Sequence, residues 1–92
     1  MAHYVYMIQS EADNSFYKGY TTQPLKRLAQ HNAGEINSSK KMPWKLVGLL
    51  IFDTKQAALI AEKKLKKYDR QRLMALISSD SNRLQAFLDL LG

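Results

Sequence analysis

The first third of the chain carries two short runs in which β-branched and aromatic residues dominate. The first run spans Tyr4 to Gln9 and the second spans Phe16 to Thr21, with a polar turn between them. Runs of this composition, separated by a short polar segment, are typical of two strands joined in a β-hairpin. A third run, Trp44 to Phe52, is almost continuously apolar. That pattern favours a strand covered on both faces at the centre of its sheet.

A short helix is predicted to follow the hairpin. Thr21 and Thr22 offer a capping hydroxyl, and Pro24 stands where the first helical turn would begin, a position that proline favours. Apolar residues at helical spacing continue to about Asn32, and Gly34 ends the pattern. The residues expected to share the inward side are Leu25, Leu28, Ala29 and Asn32.

Three further helices are predicted in the second half of the chain. They span Lys55–Lys67, Asp69–Ile77 and Ser81–Leu91, and Asp53 or Thr54 caps the first of them. The order β-β-α-β-α-α-α indicates an α+β fold, with a small, three-stranded, mainly antiparallel sheet flanked by helices. The side chains expected to face inward are Ala57, Ala61, Leu65, Tyr68, Leu73, Leu76, Ile77, Leu84, Phe87, Leu88 and Leu91.

The composition indicates the number of domains and the compartment of the protein. The 92 residues suffice for one domain, and the absence of cysteine excludes disulfides and thiolate ligands. The longest apolar run, Leu46 to Phe52, has 7 residues, whereas a membrane helix needs ~20. The N-terminus lacks the pattern of a signal peptide. We therefore expect a cytoplasmic protein.

The positive charge is concentrated in one part of the chain. The net charge is +6, and the segment from Lys40 to Arg72 holds ten Lys or Arg residues against three acids. A localised basic excess of this kind is the electrostatic signature of a polyanionic partner such as nucleic acid. A lysine-rich solvated face would give the same count.

Arg27 and His31 are the first residues with chemical potential. They stand four apart on the first predicted helix, so they share one face, on the side away from the apolar residues. The guanidinium fork matches phosphate oxygens, and histidine transfers protons near neutral pH. Taken alone, such a pair is more often a solvated helix face.

Glu62 is the only acid between Lys55 and Lys67, and it lies at the border of the predicted apolar stripe. A carboxylate among lysines is suited to hold Mg²⁺ while the lysines bind phosphates. The simpler interpretation is an ion pair with Lys66 one helical turn further on, worth a few tenths of a kcal/mol.

Tyr6 and Tyr17 lie on the two strands of the predicted hairpin, with ten residues between them in the sequence. A phenol ordinarily titrates near pH 10, so it needs a metal or cationic neighbours to act as a base at neutral pH. Half-buried tyrosines are also common in strands that carry no chemistry.

Taken together, these residues resemble the paired signatures of the GIY-YIG nucleases. Tyr4-Val5-Tyr6 stands for the first signature and Tyr17-Lys18-Gly19 for the second, with Tyr4, Val5 and Lys18 departing from the family pattern. Many relatives have an asparagine beyond the glutamate, but Asn82 matches no motif. The resemblance covers roughly Tyr4 to Ile77 and includes Thr21-Thr22, Leu25-Lys26-Arg27-Leu28, His31-Asn32-Ala33-Gly34, Lys41-Met42-Pro43-Trp44-Lys45-Leu46-Val47 and the segment from Ala58 to Lys67.

The resemblance implies a metal-dependent endonuclease that hydrolyses phosphodiester bonds of nucleic acid, with DNA favoured over RNA. Glu62 would ligate Mg²⁺ or Mn²⁺, and Tyr6 would be the general base, its pKa lowered by nearby positive charge. Arg27 would clamp the scissile phosphate and Tyr17 would position water or phosphate. His31 would hydrogen-bond Tyr6 or assist proton transfer. The residues expected to bind the flanking backbone are Lys18, Lys40, Lys41 and Lys45.

Two other function classes fit parts of the sequence. A nucleic-acid-binding module on the same scaffold would need the basic segment but not the five candidate catalytic residues, all of which are present. A protein-interaction domain would rest on the last predicted helix, whose apolar side we expect to pack on the core. We also expect low sequence specificity, or a protein partner that supplies it.

Overall fold

A three-stranded antiparallel sheet carries four helices in the computed structural model, which describes residues 1–35 and 41–92. The predicted α+β class and the predicted order of elements are confirmed. The strands are β1 (His3–Ser10), β2 (Phe16–Thr21) and β3 (Trp44–Phe52). The helices are α1 (Pro24–Asn32), α2 (Lys55–Leu65), α3 (Arg70–Ile77) and α4 (Leu84–Leu90).

The prediction that the third strand is central is wrong. β1 pairs with both other strands in the order β2-β1-β3, so β3 lies at an edge of the sheet. Next to Met7 the register shifts, and Val47 is an extra, unpaired residue in β3. Leu46 and Leu49 consequently face one side of the sheet, and Leu50 faces the other. An edge strand that is bulged and packed on both faces thus has the apolar pattern expected of a central strand.

Asn82 covers the open edge of β3 at this bulge. Its side-chain oxygen accepts a hydrogen bond from the backbone amide of Leu49 (3.0 Å), and its side-chain nitrogen donates to the carbonyl of Val47 (3.0 Å). The backbone amide of Arg83 donates to the carbonyl of Leu49 (2.8 Å). Unpaired backbone groups of an edge strand are therefore satisfied here, which gives Asn82 a structural task.

Helices cover both faces of the sheet. On one face, which we call the α2/α3 face, Val5 and Met7 of β1 pack against Ala58, Leu65 and Leu73. On the other, the α1/α4 face, the buried residues are Tyr6, Ile8, Trp44 and Leu49, and Leu28, Leu84 and Phe87 pack against them. Because neighbouring residues of a strand alternate between faces, β1 contributes to both cores.

The capping residue of α1 and the buried side of this helix differ from the prediction. Pro24 begins the helix as predicted, but Gln23 precedes it as the capping residue and makes no side-chain capping hydrogen bond. Pro24 and His31 are the buried residues, whereas Leu25 and Ala29 are exposed. The predicted apolar face of this helix is therefore wrong.

The remaining helices are shorter than predicted. Thr54 caps α2, accepting a hydrogen bond on Oγ1 from the amide of Ala57 (3.1 Å), so Ala57 is exposed rather than inward. On α4, Phe87 packs on the core, but Leu88 and Leu91 are exposed. No helix within the described residues is long and apolar enough to cross a bilayer. The inward residues that the structure confirms are Ala61, Leu65, Tyr68, Leu73, Leu76, Ile77, Leu84 and Phe87.

Leu49→Ala should lower the free energy of unfolding by ~2–5 kcal/mol, because truncating a fully buried leucine leaves a cavity and Leu49 is 0% exposed. Ile51 is a matched control, since it lies two residues along β3 on the same sheet face but is 41% exposed. Ile51→Ala should cost about 1 kcal/mol or less. Urea denaturation of both variants tests this, and equal losses would contradict the position of Leu49 in the core.

Candidate active site

The side chain of Tyr6 lies across the neighbouring strand. Tyr6 pairs with Gly19 of β2, and a Cβ atom on Gly19 would come 2.5 Å from Tyr6 Oη. Glycine is therefore the residue that leaves room for the phenol. The sequence pattern assigned Gly19 no role, although a glycine inside a strand often marks the close approach of another group.

A buried hydrogen bond ties Tyr6 to α1. Tyr6 Oη lies 3.0 Å from Nε2 of His31, and His31 is 0% exposed. The expectation that the face with Arg27 and His31 points away from the core is wrong, because this face packs on the sheet. A polar side chain can replace an apolar one inside when its hydrogen bonds are made. The expected hydrogen bond between His31 and Tyr6 is present.

Two further aromatic rings enclose His31. The ring of Tyr17 lies edge-to-face 4.8 Å from it, and the ring of Trp44 lies 6.1 Å away, centroid to centroid. Tyr17 is 37% exposed and so borders the solvent. Asn32 fixes Trp44, since its side-chain amide donates to the backbone carbonyl (2.9 Å) and accepts from the backbone amide (2.7 Å). Sequence reasoning gave neither Trp44 nor Asn32 a role.

Arg27 lies beside the Tyr6–His31 pair. Its positive charge acts to lower the pKa of both residues. Arg27 also lines a predominantly polar cavity of about 190 Å³. Two cations, Arg27 and Lys26, line this cavity and make it suited to a phosphate group. The other residues that line it are Thr21, Gln23 and Gln30.

Burial controls the protonation of Tyr6. It raises the pKa of the phenol well above its usual range, and the nearby Tyr17 and Glu62 raise it further, while Arg27 opposes them. The expectation that the pKa of Tyr6 is lowered is therefore wrong: the positive charge of Arg27 acts in that direction, but burial outweighs it. Tyr6 is a neutral phenol at neutral pH.

Burial also keeps His31 neutral. It lowers the pKa of His31 below its ordinary value, and the charge of Arg27 acts in the same direction. A neutral imidazole has one donor nitrogen and one acceptor nitrogen. His31 is thus in a form that can receive a proton.

Glu62 reaches the cluster from α2. Its side chain is 19% exposed, its Oε2 atom lies 3.7 Å from Nζ of Lys66, and its charge acts on the pKa of Tyr6. Within the described residues no group of three or more His, Cys, Asp or Glu side chains could hold a metal ion. A lone carboxylate does not fit an ion ligated by protein alone. It fits Mg²⁺, which keeps several waters and takes other ligands from substrate phosphates.

Two of the four lysines expected to bind the flanking backbone lie on the other face of the sheet. Lys18 and Lys45 lie on the α2/α3 face, opposite the two tyrosines, because strand residues alternate between faces. The expectation that they bind the flanking backbone stays a prediction. Lys41 is exposed, with Nζ 3.8 Å from Oδ2 of Asp13 in the hairpin turn. Lys40 lies outside the described residues.

The structure thus places Tyr6, Tyr17 and His31 in contact, and the charges of Arg27 and Glu62 act on Tyr6. A family model described as the GIY-YIG catalytic domain matches residues 2–75. The chain belongs to the GIY-YIG family. This family is one of endonucleases.

Small proteins of similar length share the domain. A UPF0213 protein of Haloquadratum walsbyi is 41% identical over 76 residues, which are 80% of this chain and 84% of that one. A UPF0213 protein of Staphylococcus saprophyticus is 38% identical over 78 residues, covering 83% and 94% of the two chains. The solution NMR structure of a UPF0213 protein from Bacillus halodurans has the same fold, with a TM-score of 0.58, 31% identity, and coverage of 88% and 87%.

With Tyr6 as a reacting group of a nuclease site, Gly19→Ala should lower the rate of nucleic-acid cleavage by about 100-fold, because displacing a reacting group by even ~1 Å has effects of that size. The added methyl group would occupy the place of the Tyr6 hydroxyl. Gly48→Ala is the control, since its methyl group would meet the Met7 side chain on the opposite sheet face. Cleavage per folded molecule should be unchanged in Gly48→Ala, and a parental rate in Gly19→Ala would contradict the assigned position of Tyr6.

The stability of the protein should fall as the pH drops below about 6.5, the ordinary pKa of histidine. The folded pKa of His31 is lower than the unfolded one, so the unfolded chain binds the proton first and is favoured by it. His31→Gln cannot titrate and should lose this part of the pH dependence. Urea denaturation of both proteins between about pH 7.5 and pH 5.5 measures it, and identical slopes would show that His31 is not buried as a neutral group.

Proposed function

We propose that this chain is an endonuclease that hydrolyses phosphodiester bonds of nucleic acid, DNA in preference to RNA, with Mg²⁺ or Mn²⁺ as cofactor. The observation that carries the proposal is the convergence of Tyr17, Arg27, His31 and Glu62 on the buried hydroxyl of Tyr6. Membership of a family of endonucleases supports it.

Arg27 binds the scissile phosphate in this proposal. Its guanidinium group faces both the polar cavity and the Tyr6–His31 pair, and a planar fork matches two phosphate oxygens. Negative charge builds on these oxygens as water attacks phosphorus. A cation already held in place stabilises that charge without reorganisation.

Tyr6 and His31 take the proton of the attacking water. As the new oxygen–phosphorus bond forms, the water proton passes to Tyr6 Oη and the phenol proton passes along the 3.0 Å hydrogen bond to Nε2 of His31. The bond from phosphorus to the leaving oxygen of the nucleic acid breaks in the same step, and that oxygen takes a proton from solvent. Because its pKa is lowered, the His31 imidazole is unprotonated at neutral pH and has an acceptor nitrogen for the phenol proton. Tyr17, the most exposed ring of the cluster, positions the water or the phosphate.

Glu62 holds the divalent ion. Its carboxylate is largely enclosed, close to Tyr6, and available to an ion that completes its coordination with water and phosphate oxygens. When bound, the ion would supply positive charge that lowers the pKa of the attacking water and of the phenol.

The charge of the protein indicates the kind of partner that it binds. A net charge of +6 favours a polyanion, and Lys41 and Lys40 are proposed to bind the backbone beside the cleaved bond. Phosphate contacts position a strand without reading its sequence, so we propose that any specificity comes from the shape of the nucleic acid or from a protein partner. We place the protein in the cytoplasm.

The other candidate, a nucleic-acid-binding module without activity, would use the same basic surface. It gives no reason for a buried histidine hydrogen-bonded to a tyrosine, nor for a carboxylate beside them. Binding assays alone do not distinguish the two functions, whereas a cleavage assay of a variant that lacks the Glu62 carboxylate does.

Glu62→Gln should abolish cleavage, because the amide keeps the size of the side chain but removes the charge that attracts Mg²⁺. Lys66→Gln is the matched control: it breaks the same Glu62–Lys66 ion pair and leaves the carboxylate in place. That variant should cut at nearly the parental rate and lose under about 1 kcal/mol of stability. The measurement is cleavage of labelled branched, nicked and single-stranded DNA and RNA, in Mg²⁺, Mn²⁺ or EDTA.

Binding of nucleic acid by Glu62→Gln should persist or tighten, since a negative charge near the phosphates is gone. If this variant cleaves at the parental rate in Mg²⁺, Glu62 does not hold the metal. If the parent binds every substrate and cleaves none in any of the metals, the binding module is the correct function.

A further inference from the structure

A cationic cleft lies on the side of α2 away from Glu62. It has a volume of about 360 Å³ and is lined by Lys64, Lys67, Tyr68 and Arg72. The nine residues from Lys64 to Arg72 contain five cations and one acid. This is the densest positive charge in the chain, and the catalytic cluster uses none of these four residues.

The other cations of this segment are engaged elsewhere. Lys66 pairs with Glu62 at 3.7 Å, and Arg70 donates to the backbone carbonyl of Asn14 (2.7 Å). The single acid, Asp69, accepts a hydrogen bond from the first turn of α3, at the amide of Arg72 (2.8 Å).

The three cations of the cleft have no acidic partner. Within the described residues, neither lysine nor Arg72 forms an ion pair. The Arg72 guanidinium lies 4.1 Å from the centroid of the Tyr68 ring, and Tyr68 packs against the core of the α2/α3 face. One cation is thus held by the ring, and two flexible lysines stand beside it. Like charges held this close repel each other unless an anion is bound between them.

The cleft and the active site face in different directions. Residues two apart on a helix do not share a face, and Lys64 follows Glu62 by two positions, which is roughly 200° around the helix axis at 3.6 residues per turn. The helix with its side chains is about 10 Å wide. One straight stretch of backbone at the catalytic cluster would leave the cleft unoccupied.

We propose that this cleft binds the phosphate backbone of a second nucleic-acid segment, so that the preferred substrate is branched. The proposal rests on the proposed function, because it takes the first segment to lie at the catalytic cluster. Flexible lysines act as point charges and fit a chain of phosphates better than a small ligand that must be oriented. A linear duplex contacts only the catalytic side, whereas a junction presents a second arm to the cleft.

The test compares two double variants that lose the same charge from the same helix. Lys64→Gln/Lys67→Gln removes the lysines of the cleft. Lys55→Gln/Lys63→Gln removes two lysines that flank Leu59 and Ile60 on another side of α2. Each double variant is combined with Glu62→Gln, so that no DNA is cleaved. We then measure its binding to a three-way DNA junction and to a linear DNA duplex of equal length and composition, over a series of salt concentrations in EDTA.

The cleft variant should bind the junction about tenfold more weakly, with a log–log salt slope shallower by about two, since each neutralised phosphate contributes ~0.9. Its affinity for the linear duplex should change by less than about twofold, and the control variant should bind both DNAs nearly as before. Equal weakening by the two double variants, or equal weakening for the two DNAs, would overturn the second site. If the parent never cleaves but the selective loss is observed, the endonuclease proposal fails and the cleft stands.

Discussion

The hydrogen bond between Tyr6 and His31 is the contact on which the rest of the active site depends. Two polar groups taken out of water lose hydration, and their mutual hydrogen bond contributes to compensating for that loss. The bond joins the central strand to α1, and the helix in turn carries Arg27 to the same place. The site is therefore part of the α1/α4 core, and the positions of its groups are fixed by packing before any substrate binds.

This construction explains which features the sequence predicted and which it did not. The strands follow from local composition, so β2 and β3 have the predicted bounds. Of the predicted caps, Thr54 caps α2, whereas neither Thr21 nor Thr22 caps α1. The buried side of α1 does not follow from apolar periodicity, because a histidine occupies the buried position and Leu25 is exposed. The edge position of β3 was hidden because a bulge and helices on both sheet faces give its residues a continuous apolar pattern.

Other contacts join residues far apart in the chain, where no local pattern indicates them. Asn32 binds the backbone of Trp44, and Asn82 binds the backbone of β3 across more than thirty residues. The requirement for glycine at position 19 is also invisible to local patterns, because a side chain is excluded there only by the position of the Tyr6 ring. The set of five site residues was still predictable, because their types and order define a family, whereas their burial and protonation required the structure.

The place of Glu62 is the last feature that stability alone does not explain. The carboxylate is 19% exposed while the ammonium group of its partner Lys66 lies on a side chain that is 58% exposed. A pair at 3.7 Å with one member in solvent contributes little, and enclosing a carboxylate carries a desolvation penalty. The carboxylate also raises the pKa of Tyr6, so its charge opposes the loss of a proton from the phenol in the proposed reaction. Both costs fall when a cation occupies the space beside Glu62, which is why a metal-binding role accounts for this residue better than the ion pair does.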